Sequence, residues 1–134
     1  MIDPGTLTLR DGLDGLTPAR IATLYRRAPL LRRTDNPDAL MTAFERSHVV
    51  LTLWERDRLV GLARVLSDGV QTSYLCDLAV EPDVQGGGVG KRLIDEVLDR
   101  CRGTELVLRD SNLSSGFYER LGFASVENAW VLQA

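Results

Sequence analysis

Residues 78–101 read LAVEPDVQGGGVGKRLIDEVLDRC. An apolar run ends at Val80, Pro82 breaks it, four of the six residues 85–90 are glycine, and a helical pattern follows at once. Val89, Leu93, Ile94, Val97, Leu98 and Cys101 recur at 3.6-residue spacing. Arg92–Glu96 and Glu96–Arg100 form opposite-sign i,i+4 pairs on the other side. Upstream, QTSYLCDLAV (71–80) reads as a strand whose second half is apolar almost throughout, the pattern of a strand covered on both faces in mid-sheet. Downstream, Gly103 closes the helix and TELVLR (104–109) reads as a strand. Strand, helix and strand in that order imply a right-handed parallel crossover. The glycines between the first strand and the helix are either a slack connector or a bare backbone against which a ligand lies. Unpaired N–H groups and the positive dipole end of the helix make the second reading an anion site.

Outward from this unit the chain keeps changing period. TLTLR (6–10) alternates and reads as an edge strand, and VVLTLWE (49–55) with LVGLARVL (59–66) reads as a hairpin. Thr17-Pro18 and Asn36-Pro37 are helix starts, each a capping side chain followed by proline at the first helical position. Ile21, Leu24, Tyr25 and Ala28 line the first helix; Leu40, Met41 and Phe44 line the second. A short helix is predicted from Leu113 to Leu121 with Gly122 as its C-cap, and FASVENAWVLQ (123–133) reads as a final strand. The order βααβββαβαβ describes a mixed sheet of α+β type.

The 134 residues, 44% hydrophobic and 26% charged, fit one domain (1–134) with a single core. Net charge is −3 and no basic stripe is concentrated enough to follow phosphates, which argues against nucleic acid as a partner. No apolar run approaches the roughly 20 residues of a membrane span, and MIDPGTLTLRDG lacks the basic-then-apolar order of a secretory leader. The expectation is a soluble cytoplasmic protein with no membrane association. Cys76 and Cys101 have neither CxxC spacing nor neighbouring ligands, so free thiols and no metal are expected.

Two phosphate-loop patterns fail on the glycine run. GxxxxGK[ST] requires a glycine where Gln85 stands and a hydroxyl where Arg92 stands; GxGxxG begun at Gly86 meets Lys91 in place of its last glycine. Q-x-x-G-x-G fits, with Gln85, Gly88 and Gly90 in the fixed places. NLSSGFYERLGF fits N-x-x-A-x-x-Y-x-x-x-G-F at Asn112, Tyr118, Gly122 and Phe123, with Ser115 in place of alanine. On these two motifs and the element order, the chain resembles the GNAT family of N-acetyltransferases along most of its length. The resemblance implies a GNAT-like twisted mixed sheet of six to seven strands flanked by about four helices and splayed between strands 71–80 and 104–109. It implies acetyl-CoA as co-substrate, its pyrophosphate on the amides of Gly86, Gly87, Gly88, Val89, Gly90 and Lys91. The pantetheine arm would lie along Leu78, Ala79 and Val80, with a backbone N–H near Val80 stabilising the oxyanion, and Asn112 and Ser115 would belong to the same site. Arg92 is either a further charge near the phosphates or part of the exposed helix face.

In the same resemblance Tyr118 is the general acid, protonated at neutral pH; its alternative is a core aromatic. Asn112 is a pantetheine contact, an N-cap, or both. An acetyl transfer also needs an acceptor for the amine's proton. Asp77, a carboxylate in an apolar strand on the same face as Leu75 and Ala79, is a candidate base or else a partner of an arginine such as Arg64. Glu81 and a water chain are the alternatives, and His48 reads as a surface or satisfied histidine. No serine or cysteine triad can be assembled, so direct attack without an acetyl-enzyme is expected. The implied acceptor pocket draws on roughly residues 25–45, with Tyr25, Arg32, Arg33 and Phe44, and on Trp130; Arg32 and Arg33 equally suit a carboxylate, and with it an amino-acid-like acceptor. A small primary amine is the leading acceptor; a protein amine, or a non-catalytic acyl-CoA sensor, is the alternative. The family also implies a homodimer.

Overall fold

The computed structural model describes residues 2–28, 30, 32–110 and 116–134. Both helix starts are present as predicted. Thr17 Oγ1 accepts from the Arg20 N–H at 3.1 Å ahead of α1 (Pro18–Arg27), and Asn36 Oδ1 accepts from the Ala39 N–H at 3.2 Å ahead of α2 (Pro37–Glu45). Each cap satisfies one orphan donor, and proline brings no N–H that needs one. The remaining elements are β1 (Thr8–Asp11), β2 (Val49–Glu55), β3 (Arg58–Ser67), β4 (Thr72–Val80), α3 (Val89–Arg100), β5 (Glu105–Leu108) and α4 (Phe117–Arg120).

The strands form one sheet in the order β1-β2-β3-β4-β5, antiparallel except for the parallel β4–β5 pair that α3 connects. Two apolar layers cover it. Leu93, Ile94 and Val97 of α3 pack with Leu51, Leu53, Val60, Val65 and Leu75 on one face. Ile21, Leu24, Tyr25 and Phe44 of α1 and α2 pack with Val50, Trp54, Leu62 and Ala79 on the other. Cys101 is buried and Cys76 half-buried, both as free thiols. Among the described residues no helix is long and apolar enough to cross a membrane.

The sheet has five strands among the described residues, fewer than the six to seven expected. The predicted strand over 123–133 accounts for the difference: residues 124–134 are in no strand and are exposed throughout. Apolar residues of high strand propensity make a strand only when another strand supplies the ladder, and that neighbour is not encoded locally. The short C-terminal helix starts at Phe117 in the described part; its C-cap is Leu121, one residue before the predicted Gly122, which follows with φ +97°.

β4 departs from regular alternation. Arg64 pairs with Asp77 and Val65 with Leu75, so Cys76 has no partner across from it. This bulge reverses the parity of everything beyond it. Leu75 packs in the α3 layer, whereas Asp77 and Ala79 face α1 and α2, and Leu78 and Val80 pack toward the α3 layer. The expectation that Asp77 shares a face with Leu75 is therefore corrected: one extra residue turns it to the opposite side.

Asp77 is fully buried at that turn, with its side chain 0% exposed. Arg32 Nε donates to Oδ1 at 2.5 Å, Arg64 Nε to Oδ2 at 2.7 Å, and the Tyr25 hydroxyl to Oδ2 at 2.7 Å. Arg32 also donates to the carbonyl of Cys76 at 2.6 Å, which ties the bulge itself to the α1–α2 connection. Burial first, then the adjacent Asp77 carboxylate, push the Tyr25 phenol well above 10, so it stays a donor. Removing the carboxylate strands a half-buried guanidinium and a buried hydroxyl. Asp77→Ala is expected to cost about 3–5 kcal/mol of unfolding free energy, the usual consequence of orphaning one side of a buried ion pair. Urea unfolding measures it, and a loss below about 1 kcal/mol would put the network in the class of weak surface pairs.

Candidate active site

β4 and β5 run side by side only from Thr72/Glu105 to Leu75/Leu108. Their pairing stops at the residue before the bulge, where added twist bends β4 away. A cleft of about 860 Å³ fills the gap. Its walls are Leu78 and Val80 of β4, Leu108, Arg109 and Asp110 at the end of β5, Gln85, Gly86 and Gly90 of the glycine loop, Phe117 and Tyr118 of α4, and Ala28, Leu30 and Arg32 after α1.

The exposed edge of β4 points into this cleft. The Glu81 N–H donates to the Val60 carbonyl at 2.8 Å, so it faces β3. By strand alternation the N–H groups of Leu78 and Val80 face the other way, toward the cleft. Gln85 Nε2 donates to the Val80 carbonyl at 2.9 Å and holds the loop to the strand end. Ala79, between Leu78 and Val80 on the strand, packs its side chain in the α1–α2 layer.

The loop then turns through Gly86 (φ +84°) and Gly88 (φ +91°), conformations that side chains with a Cβ rarely adopt. Gly87 lies half-buried between them. Gly88 is the N-cap of α3 and provides no side-chain cap, and no acidic residue stands in the first turn. The N–H groups of Val89, Gly90 and Lys91 are left facing out with the positive end of the helix behind them. Gly90 is small for a packing reason: a Cβ there would lie 3.1 Å from the Phe117 ring. These features suit a pyrophosphate on the loop and an amide-bearing arm along β4, which are the parts of acetyl-CoA that the motif implies.

The charged neighbours do less than the sequence allowed. Lys91 Nζ pairs with Asp95 at 2.7 Å on the exposed face. Arg92 fits neither reading: it is half-buried and reaches back to the carbonyls of Pro4 and Leu7, fastening the N-terminal turn to α3.

Tyr118 lies in the cleft wall opposite the β4 edge, edge-on to Phe117 at 5.0 Å and Phe123 at 5.6 Å between ring centres. Burial, and then the negative charge of Asp110, push its phenol up to about 12. Among the described residues its hydroxyl has no hydrogen-bond partner. Asp77 is the hub of the arginine network and does not line the cleft; the pair with Arg64, the alternative to a base, is present. Glu81 is also enclosed, bound by Arg27 Nε at 2.7 Å and approached by Arg58 at 3.7 Å. His48 accepts from the Ser67 N–H at 2.9 Å, a satisfied histidine. Of the residues expected around the acceptor, Arg32 lines the cleft; Tyr25 and Phe44 are core, and Arg33 and Trp130 stand in solvent. Asn112 and Ser115 lie outside the described residues. Leu30, inside the 25–45 stretch expected at the acceptor pocket, lines the cleft; sequence reasoning missed Arg109 and Asp110, which no motif marks and which reach the cleft through the β4–β5 register.

The arrangement can be set beside known proteins. The acetyltransferase (GNAT) domain model matches residues 30–131. Serotonin N-acetyltransferase 2, chloroplastic, of Oryza sativa subsp. japonica is 31% identical over 126 residues, covering 87% of this chain and 60% of the rice protein. Glucosamine 6-phosphate N-acetyltransferase of Trypanosoma brucei brucei is 30% identical over 132 residues, covering 92% of this chain and 79% of that protein. The chain thus spans about three-fifths of the rice relative's length. A GNAT family acetyltransferase structure from Streptococcus pneumoniae TIGR4 superposes with a TM-score of 0.74 at 23% identity, over 96% of this chain and 100% of that one. Split sheet, uncapped glycine loop and family match agree: this chain belongs to the GNAT acetyltransferase family.

Proposed function

We propose that the protein transfers an acetyl group from acetyl-CoA to the primary amine of a small molecule by direct attack. The observation that carries this reading is the open β4 edge at Leu78 and Val80, set between the uncapped start of α3 and the Tyr118 hydroxyl. Bound acetyl-CoA would supply an acetyl thioester. The first turn of α3 holds the phosphates, and Leu78 and Val80 offer backbone partners to the arm. The Val80 N–H is the preorganised donor for charge developing on the carbonyl oxygen. The new C–N bond replaces the C–S bond; the amine gives one proton to water, and the departing thiolate takes one from solvent. Asp77 and Glu81 are enclosed, so water in the open cleft takes the amine's proton.

Tyr118 serves the departing sulfur. With its pKa at about 12 it is always protonated in the working range. Full transfer to a thiolate of pKa about 8.5 is uphill, so its contribution is a hydrogen bond that strengthens as charge develops on sulfur. A small amine as acceptor is supported by the rice and trypanosome relatives, whose names specify serotonin and glucosamine 6-phosphate. Arg32 is committed to Asp77 and the Cys76 carbonyl, and Arg33 stands outside the cleft, so the two do not make a joint carboxylate seat.

Acetyl-CoA at a hundred times its Kd is expected to raise Tm by roughly 10 °C. No shift with acetyl-CoA or CoA would remove the reading altogether. A shift without thiol release on any amine would make the protein a sensor.

Tyr118→Phe is expected to lower kcat about a hundredfold, with the acetyl-CoA shift retained. Equal kcat in the two proteins would leave Tyr118 as packing.

The rate should rise with pH through the acceptor amine's own pKa and then stay level, since a phenol at about 12 gives no descending limb below about pH 11. A rate that falls around pH 10 would show Tyr118 ionising at its ordinary value.

A further inference from the structure

We propose that the acceptor amine carries an anionic group, a carboxylate or a phosphate, and that Arg109 is the residue that selects it; this rests on the acetyl-transfer reading above and specifies its acceptor. The cleft lies where β4 and β5 part, so it has walls in both apolar layers. Leu78, Val80, Leu108 and Tyr118 pack with the α3 layer. Ala28 and Leu30 pack with the α1–α2 layer, and Arg32 reaches Asp77 on that same side. The uncapped start of α3 and the Tyr118 phenol both belong to the first side. The mouth beside α1 is the one left to admit an acceptor.

Charge at that mouth is positive. Leu106 and Leu108 of β5 pack toward α3, so alternation turns Arg109 to the α1–α2 side. Arg109 lines the cleft, and among the described residues it makes no hydrogen bond and no ion pair. Asp110, the one carboxylate lining the cleft among the described residues, turns back to the Tyr118 side, where its charge acts on the phenol. Beneath the mouth, Asp77 is shared by the Arg32 and Arg64 guanidiniums while Tyr25 stays a neutral donor, so that network carries one positive charge. A bare ammonium would meet guanidiniums here and nothing to offset them. An amine that also carries an anion brings its own compensation, and a guanidinium meets a carboxylate or phosphate with two parallel N–H donors. Arg32 is held by Asp77 and the Cys76 carbonyl, so Arg109 is the cation left to make that contact. Ala28 and Leu30 leave the rest of the mouth apolar, which strengthens a charge pair set within it.

Matched acceptors that differ in the anion test this: glucosamine 6-phosphate against glucosamine for a phosphate, tyrosine against tyramine for a carboxylate. In at least one pair the anionic member should have the higher kcat/KM by about thirtyfold, the usual weight of one hydrogen bond to a charged group. Arg109→Gln should bring the ratio within that pair to near one, and Arg109→Lys should keep part of it. Arg109 is exposed, so both variants are expected to melt as the parent does. Thermal shifts with the N-acetylated products, read with CoA bound, give the same comparison without turnover. No preference for the anionic member in either pair, or a preference that survives Arg109→Gln, would overturn the proposal and leave acetyl transfer standing. CoA binding without turnover on any amine would remove acetyl transfer, and this acceptor with it.

Discussion

Cys76 stands in β4 without a residue opposite it on β3, and the rest of the site follows from that extra residue. It ends the pairing with β5, so the sheet opens where a ligand can enter. It also inverts the side-chain parity, which puts Asp77 into the α1–α2 layer and turns Leu78 and Val80 to the cleft side. A bulge interrupts the ladder and leaves backbone groups unmatched. Here Arg32 takes the Cys76 carbonyl and Asp77 anchors Arg32, so the irregularity is held from the side rather than left to relax.

This division separates two kinds of polar group. The charged residues nearest the reaction in sequence, Asp77 and Glu81, are spent on Arg32, Arg64, Arg27 and Arg58, and so build the scaffold. In the reaction we propose, the chemistry falls to neutral donors: the amides of α3 and β4, and the phenol of Tyr118. A phenol raised to about 12 by burial and by Asp110 is a poor acid but a dependable hydrogen-bond donor. In that proposal such a site would stabilise developing charge without changing its own, with water carrying the amine's proton away.

The parts of the fold that could be read in advance are those in which contiguous residues contain the whole cause. Thr17-Pro18 and Asn36-Pro37 carry both the cap and the proline, and the α3 stripe needs only its own period. The glycine loop belongs with them, because positive φ at Gly86 and Gly88 is a local demand. Gly90 does not: its reason is the Phe117 ring of α4, far along the chain. Arg92 likewise reads as a phosphate ligand or a surface residue until the N-terminal turn is seen beneath it. Asp110 follows β5 and belongs to no motif, yet it is the charge that acts on Tyr118.

Side-chain period, capping chemistry and the two motifs were enough to specify the element order as far as α4, the parallel crossover, the loop and the position of Tyr118. These are short-range consequences of backbone sterics and hydrogen bonding within a few residues. The bulge at Cys76, the three donors on Asp77, the width of the cleft and the exposure of residues 124–134 came from the folded arrangement. Each depends on which strand lies beside which, and in what register. Pairing energies between distant segments set those relations, and one residue of slip reverses every side chain beyond it.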